Sequence, residues 1–171
     1  MRVLIWSLLI LFYSSPSFSQ DSYWQQNIKY DMYIDFDHKS HQFDIHQEII
    51  YTNNSPDELS KVYMHLFYNA FQPGSMMDVR SRSIADPDSR VVDRIYNLDK
   101  NEIGFQKIIS VRNGSNNLNF FQEGTILEVF LNKPIKPGKK LSLSIDCKSQ
   151  IPIQIRRTGR YNKEDVAYSM T

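Results

Sequence analysis

Residues 28–52 impose the strongest constraint on this chain. Ile28, Tyr30, Met32, Ile34 and Phe36 alternate with Lys29, Asp31, Tyr33, Asp35 and Asp37. A period of two places the large apolar groups on one face of a strand and mostly polar ones on the other. After His38, Lys39, Ser40 and His41 the pattern resumes: Phe43, Ile45, Ile49 and Tyr51 against Asp44, His46, Glu48 and Thr52. Two half-buried strands joined by a short polar turn make an antiparallel hairpin. Burying the five inner side chains of the first strand would stabilise by roughly 8–15 kcal/mol. Ordering about nine backbone residues costs roughly 9–18 kcal/mol. The hairpin therefore requires a second layer, and the rest of the chain is expected to supply it.

Further strand patterns follow, divided by turn clusters. Asn53, Asn54, Ser55, Pro56 and Asp57 end the second strand. Val62, Met64 and Leu66 then alternate with Tyr63, His65 and Phe67, which predicts an inner strand buried on both faces. Phe105, Lys107, Ile109 and Val111 predict another, closed by the turn dipeptide Asn113-Gly114. A short aromatic stretch at 118–121 is broken by Gly124. Leu127, Val129 and Leu131 alternate with Glu128 and Phe130; Leu141, Leu143, Ile145 and Cys147 alternate with Ser142, Ser144, Asp146 and Lys148. The predicted fold class is mostly β: an antiparallel, saddle-like or sandwich β-domain.

Between 68 and 98 the strand pattern stops. An irregular stretch of this length in a compact domain is usually functional or covers something. Ser75 is placed to cap a short helix over 76–84, and Ser89 a second over 90–98.

At the start of the chain, Arg2 precedes about eleven mostly apolar residues, then small residues including Ser17 and Ser19. That is the anatomy of a secretory signal peptide over residues 1–19, too short for a membrane span. The mature chain, 20–171, is expected to be exported, periplasmic or secreted, with no stable membrane span after cleavage. Loss of Arg2 leaves nineteen Lys and Arg against nineteen Asp and Glu. This neutrality gives no general drive toward nucleic acid. Cys147, the one cysteine, excludes an internal disulfide, so an apolar core must hold the domain.

Chemistry-bearing motifs are sparse. His38, His41 and His46 lie close in sequence, but no His-Glu-x-x-His frame accompanies them, and they read as solvated turn histidines. Cys147 reads as a small buried hydrophobe. Gly-x-Ser-x-Gly, P-loop and dinucleotide fingerprints are absent. Arg156, Arg157 and Arg160 form the concentrated basic patch. It is read as a solvated loop or interdomain salt-bridge patch, with anion binding as the alternative. Met76 and Met77 are either folded back on the core or an exposed docking surface.

Three segments carry a resemblance. They are Tyr-Asn-Ala-Phe-Gln-Pro-Gly-Ser-Met-Met-Asp-Val-Arg-Ser-Arg at 68–82, Ile-Ala-Asp-Pro-Asp at 84–88, and Ile-Pro-Ile-Gln-Ile-Arg-Arg-Thr-Gly-Arg at 151–160. With the strands of 24–51 and 129–145, they resemble the N-terminal β-domain of exported zinc aminopeptidases of the aminopeptidase N type, in the Bacteroidetes-like branch. The resemblance implies hydrolysis of peptides from a free N-terminus by a zinc-bound water in a thermolysin-like helical domain. The His-Glu-x-x-His motif, the distant Glu ligand and the Gly-x-Met-Glu-Asn-type loop of that domain do not occur in these 171 residues. No catalytic, metal or cofactor residue carries over, and zinc belongs to the full-length family. The implied partner is the catalytic domain of the same protein, with peptide substrate bound only in the full-length form. Because Tyr168, Ser169, Met170 and Thr171 resemble the stretch preceding the family's amine-binding Gln or Glu, the domain is expected to be incomplete at the C-terminus. Residues 156–171 are accordingly expected to pair with chain beyond Thr171. The alternative from a different class is a stand-alone exported β-sandwich that binds peptide, glycan or a partner protein.

Overall fold

The computed structural model describes residues 23–156 and 158–161, together with the backbone of 168 and 169. Residues 1–22 (the proposed signal peptide among them), Arg157 and residues 162–167, 170 and 171 lie outside the described residues.

Among the described residues, ten strands and one α-helix follow in the order β1 (Asn27–Asp37), β2 (Gln42–Thr52), β3 (Leu59–His65), α1 (Met76–Ser83), β4 (Phe105–Asn113), β5 (Asn116–Asn117), β6 (Phe120–Glu123), β7 (Ile126–Ile135), β8 (Lys140–Gln150), β9 (Gly159–Arg160) and β10 (Tyr168–Ser169). A 3-10 turn at Phe67–Ala70 leads toward α1. One sheet has the order β1-β2-β8-β4-β5, a second β3-β7-β6, and a two-stranded ribbon joins β9 to β10. All strand pairs are antiparallel. The fold is thus mostly β, sandwich-like and not closed into a barrel.

The core lies between the two larger sheets. Ile49, Tyr51, Ile108, Val111, Leu141, Leu143, Ile145 and Cys147 meet Val62, Leu127, Val129 and Ile135, with Leu66 and Leu118 closing the ends. β8 is the centre of the layer: it pairs β2 on one side and β4 on the other. Its alternation Leu141, Leu143, Ile145, Cys147 is buried as the period of two requires.

The predicted hairpin is present, with Asp37 facing Gln42 across the turn. Its first strand departs from expectation. Ile28, Tyr30, Met32, Ile34 and Phe36 share the face of their buried β2 partners Tyr51 and Ile49, yet they remain 38–52% exposed. These side chains therefore realise only about half of the burial expected for β1. β1 is held chiefly through its ladder to β2, whose other edge is the inner strand β8.

Two other strands correct the sequence reading. β3 is an edge strand: Val62 is buried while Tyr63 and Phe67 are exposed. In β4 a bulge falls between Ile108 and Ser110. The extra residue shifts the phase, so Ile108 and Val111 both point inward and Ile109 outward. After β5, Gly114 at φ +57° having supplied the turn, Leu118 closes one end of the core.

Candidate functional site

The irregular stretch between β3 and β4 folds with the segment after β8 into one small lobe. α1 starts where the sequence places it. Ser75 is its N-cap and accepts a hydrogen bond from the Asp78 amide at 3.2 Å. Asp78, fully buried, turns back to accept from the Gly74 amide at 2.7 Å. Arg82, one turn on, clamps the same carboxylate from Nε at 2.8 Å and from its terminal nitrogen at 3.1 Å. The Arg82 guanidinium, with help from the Gly74 amide, holds the Asp78 carboxyl below its usual range. The guanidinium also lies 4.6 Å from the centre of the Tyr96 ring.

The second helix expected after Ser89 is not formed. Residues 89–97 run as successive turns, with Val92 at φ +37°. Asp88 organises them instead. Its backbone carbonyl accepts from Val91 and Val92, and its carboxylate accepts from the Arg90 amide and guanidinium. Arg156 adds a second cation at 3.2 Å. Arg90 first, then Arg156, pull the Asp88 carboxyl down to about 2. Beneath these turns Val91, Ile95 and Ile155 form a second core, joined by Phe71, Met77, Leu98 and Ile153. Arg94 ties the two chain segments together by donating to the carbonyls of Gln154 and Ile155.

The residues singled out from sequence separate accordingly. Met77 packs against the second core, whereas Met76 is 86% exposed. Arg156 is half exposed and paired with Asp88. Arg160 differs from the solvated loop residue expected: it is 3% exposed and donates to the Asn101 carbonyl. Its backbone closes the loop through Gln154 N to Arg160 O and Arg160 N to Pro152 O, both 2.8 Å. Tyr168 and Ser169, expected to pair with chain further on, oppose Arg160 and Gly159.

Where the lobe meets the large sheet, an open groove of about 760 Å³ is lined by Ile34, Phe43, Phe67, Tyr68, Phe71, Met77 and Thr158 among others. Phe43 packs edge-on against both Phe36 and Tyr68. The lining is mostly aromatic and aliphatic, its polar groups being the hydroxyls of Tyr68 and Thr158 and the amide of Gln106.

On the outer face of the large sheet, the ladder register assembles a polar cluster that sequence reasoning did not find. Asp146 of β8 faces His46 of β2 and Ser110 of β4. It accepts from Ser110 Oγ at 2.6 Å and from Arg112 at 2.9 Å, and lies 2.7 Å from His46 Nδ1. The hydrogen bond to Asp146 raises the His46 imidazole above its usual value, and Asp146 is lowered in return. The Ser110 hydroxyl is spent on the carboxylate, with no imidazole placed to activate it. Polar alternation in each strand was the available signal; only the register brings the three together.

Among the described residues, no three His, Cys, Asp or Glu side chains converge so as to hold a metal ion. Cys147 is buried, its thiol pushed up by desolvation, beside Ser149. No helix among the described residues is long and apolar enough to cross a membrane.

No protein-family model matches the chain. A search of curated proteins returned no match. Solved structures similar to it are M1 zinc metallopeptidases. The enzyme from Deinococcus radiodurans aligns with 74% of this chain and 20% of its own, at 12% identity and a TM-score of 0.45. A two-domain M1 zinc metallopeptidase variant bound to L-arginine aligns with 81% of this chain and 24% of its own, at 12% identity and a TM-score of 0.49. The variant bound to L-tryptophan gives 82% and 23%, at 10% identity and 0.46. The chain thus spans no more than 24% of the length of these three. At such identities and TM-scores the likeness assigns no residue a role.

Proposed function

We propose that this chain supplies the N-terminal β-domain of an exported zinc aminopeptidase of the aminopeptidase N type and performs no chemical step itself. One observation carries the reading. Of the segments that resemble that family, 68–82 and 151–160 lie far apart in sequence yet supply Phe71, Met77, Ile153 and Ile155 to one small core, and Asp88 of 84–88 pairs with Arg156 beside it. Arg94, from the turns between these segments, donates to the Gln154 carbonyl.

In this reading the partner is the catalytic domain of the same protein. Met76, Phe67 and the groove floor at Phe71 offer apolar surface to it, and Arg156 offers a charge. Zinc would be held by the His-Glu-x-x-His motif of that domain, because the described residues here include no suitable ligand set. The chain's own contribution is to fold, to present this face and to help enclose a peptide N-terminus.

Two measurements test the assignment. Reading the coding DNA beyond Thr171 is expected to reveal an open frame that encodes His-Glu-x-x-His. A stop codon followed by no related frame overturns it in favour of a stand-alone binding module, the reading that the uncovered face of β1 supports. The purified chain is expected to leave aminoacyl anilides intact and to lose zinc on dialysis. Zinc retained one to one, and lost on His38→Ala with His41→Ala, would place a metal site here after all. Export is tested by the N-terminus of the expressed protein, which should be Gln20; an intact Met1 on a cytoplasmic product would refute it.

A further inference from the structure

The outer edge of β1 has the features of a strand-docking site, independently of the assignment above. β1 is the terminal strand of the five-stranded sheet and runs eleven residues in unbroken register with β2. Edge strands in natural sheets are normally shortened, bulged or interrupted by proline. β1 contains no proline, glycine or bulge. One face presents Tyr30, Met32 and Ile34, each about half exposed. The other carries an acidic ladder whose register works against the isolated chain: Asp31 stands directly opposite Glu48, and Asp35 opposite Asp44. Like charges placed directly across a ladder are destabilising. Of the cations on this face, His46 is engaged by Asp146 and lies 3.4 Å from Glu48, Lys148 of β8 stands opposite Asp44, and Lys29 stands opposite Ile50; none of the three stands directly opposite Asp31 or Asp35 at the edge.

We infer that β1 accepts an extended strand of a partner protein in which apolar and basic residues alternate. Backbone pairing would extend the sheet by one strand, the mode known as β-augmentation. The partner's apolar side chains would then lie beside Tyr30, Met32 and Ile34, and its lysines or arginines beside Asp31 and Asp35. A second copy of this chain fits less well, because its own β1 brings three aspartates and one lysine to the polar face.

A nine-residue fluorescent peptide alternating valine with lysine tests this, with a valine–glutamate peptide as control. The full chain should bind the lysine peptide about tenfold more tightly than the control, and less tightly as salt is raised. Amide exchange should slow in β1 on binding. Asp31→Lys with Asp35→Lys, both at exposed positions, should reverse the preference. Equal affinity for the two peptides, protection appearing elsewhere than β1, or a preference that survives the double substitution each overturns the inference. So does sedimentation showing that the chain alone dimerises through β1. Comparison of the two peptides on the unmodified chain keeps the test decisive even if the double variant fails to fold.

Discussion

His46 and Asp146 pair across the β2–β8 ladder at 2.7 Å, which couples the protonation of an imidazole to the central strand. The direction of the effect follows from the shifts. His46 is raised above about 6.5, so its contribution is fully present below that value and is lost as pH rises through the folded pKa. Asp146 is lowered, so its contribution is present above about 3.9 and is lost as pH falls through its folded pKa. Denaturation midpoints should therefore decline as pH rises above about 6.5 and through the raised pKa of His46. His46→Gln should flatten that limb and weaken the acid limb without abolishing it, because Ser110 and Arg112 still hold the Asp146 carboxylate. An unchanged slope in the variant would show that another group governs it.

Asp78 offers a second test, in the lobe rather than the sheet. Asp78→Ala removes three hydrogen bonds, two from Arg82 and one from Gly74. Arg82 is partly exposed and can regain water, which limits the penalty. The expected cost is about 2–3 kcal/mol by urea denaturation. Arg82→Lys should lose about half of that, because an ammonium cannot reproduce the two-pronged geometry. Equal stability of all three proteins would mean that the lobe does not depend on this clamp.

The sequence made the faces of strands legible, but not their surroundings. The alternation in β8 and β7 predicted burial correctly because both strands lie inside their sheets. The same alternation in β1 identified the face and missed its exposure, since a period of two does not tell how far the opposite layer extends. β4 failed for a local reason: the bulge after Ile108 changes phase without leaving a mark in the pattern. In the lobe, the Ser75 cap was readable three residues from Asp78, whereas Asp88 acts through partners as distant as Arg156. Burial of Arg160 depends on a loop closure that its neighbours Arg156 and Arg157 give no hint of.

The difference between β1 and β8 can be measured directly. Leu143 is fully buried at the centre of the core. Leu143→Ala should cost about 3–5 kcal/mol, a large share of the stability of a domain this size. Ile34, which matches Leu143 in apolar character but is half exposed, should tolerate serine at a cost of about 1 kcal/mol or less. Comparable losses at the two positions would mean that β1 is covered in solution.

Gly159 supports the sharpest substitution test of the lobe. Its φ of +134° is one that residues with side chains rarely adopt. A Cβ there would stand 2.7 Å from the Pro152 carbonyl oxygen and 2.8 Å from the Gln154 backbone. These contacts are with main chain that cannot rotate aside, and the same atoms form the hydrogen bonds closing 152–160. Gly159→Ala should therefore cost more than about 2 kcal/mol and release the amides of Gln154 and Arg160 to exchange. Gly138→Ala is the matched control. Gly138 has φ +71° but nothing within 4 Å of its Cβ position, so only the backbone preference is lost, about 1 kcal/mol. If the two variants unfold at the same denaturant concentration, crowding at Gly159 is relieved by movement of the loop. The segment 152–160 would then be adaptable rather than fixed, and the face it forms with Arg156 and Met77 would not be preset for a partner domain.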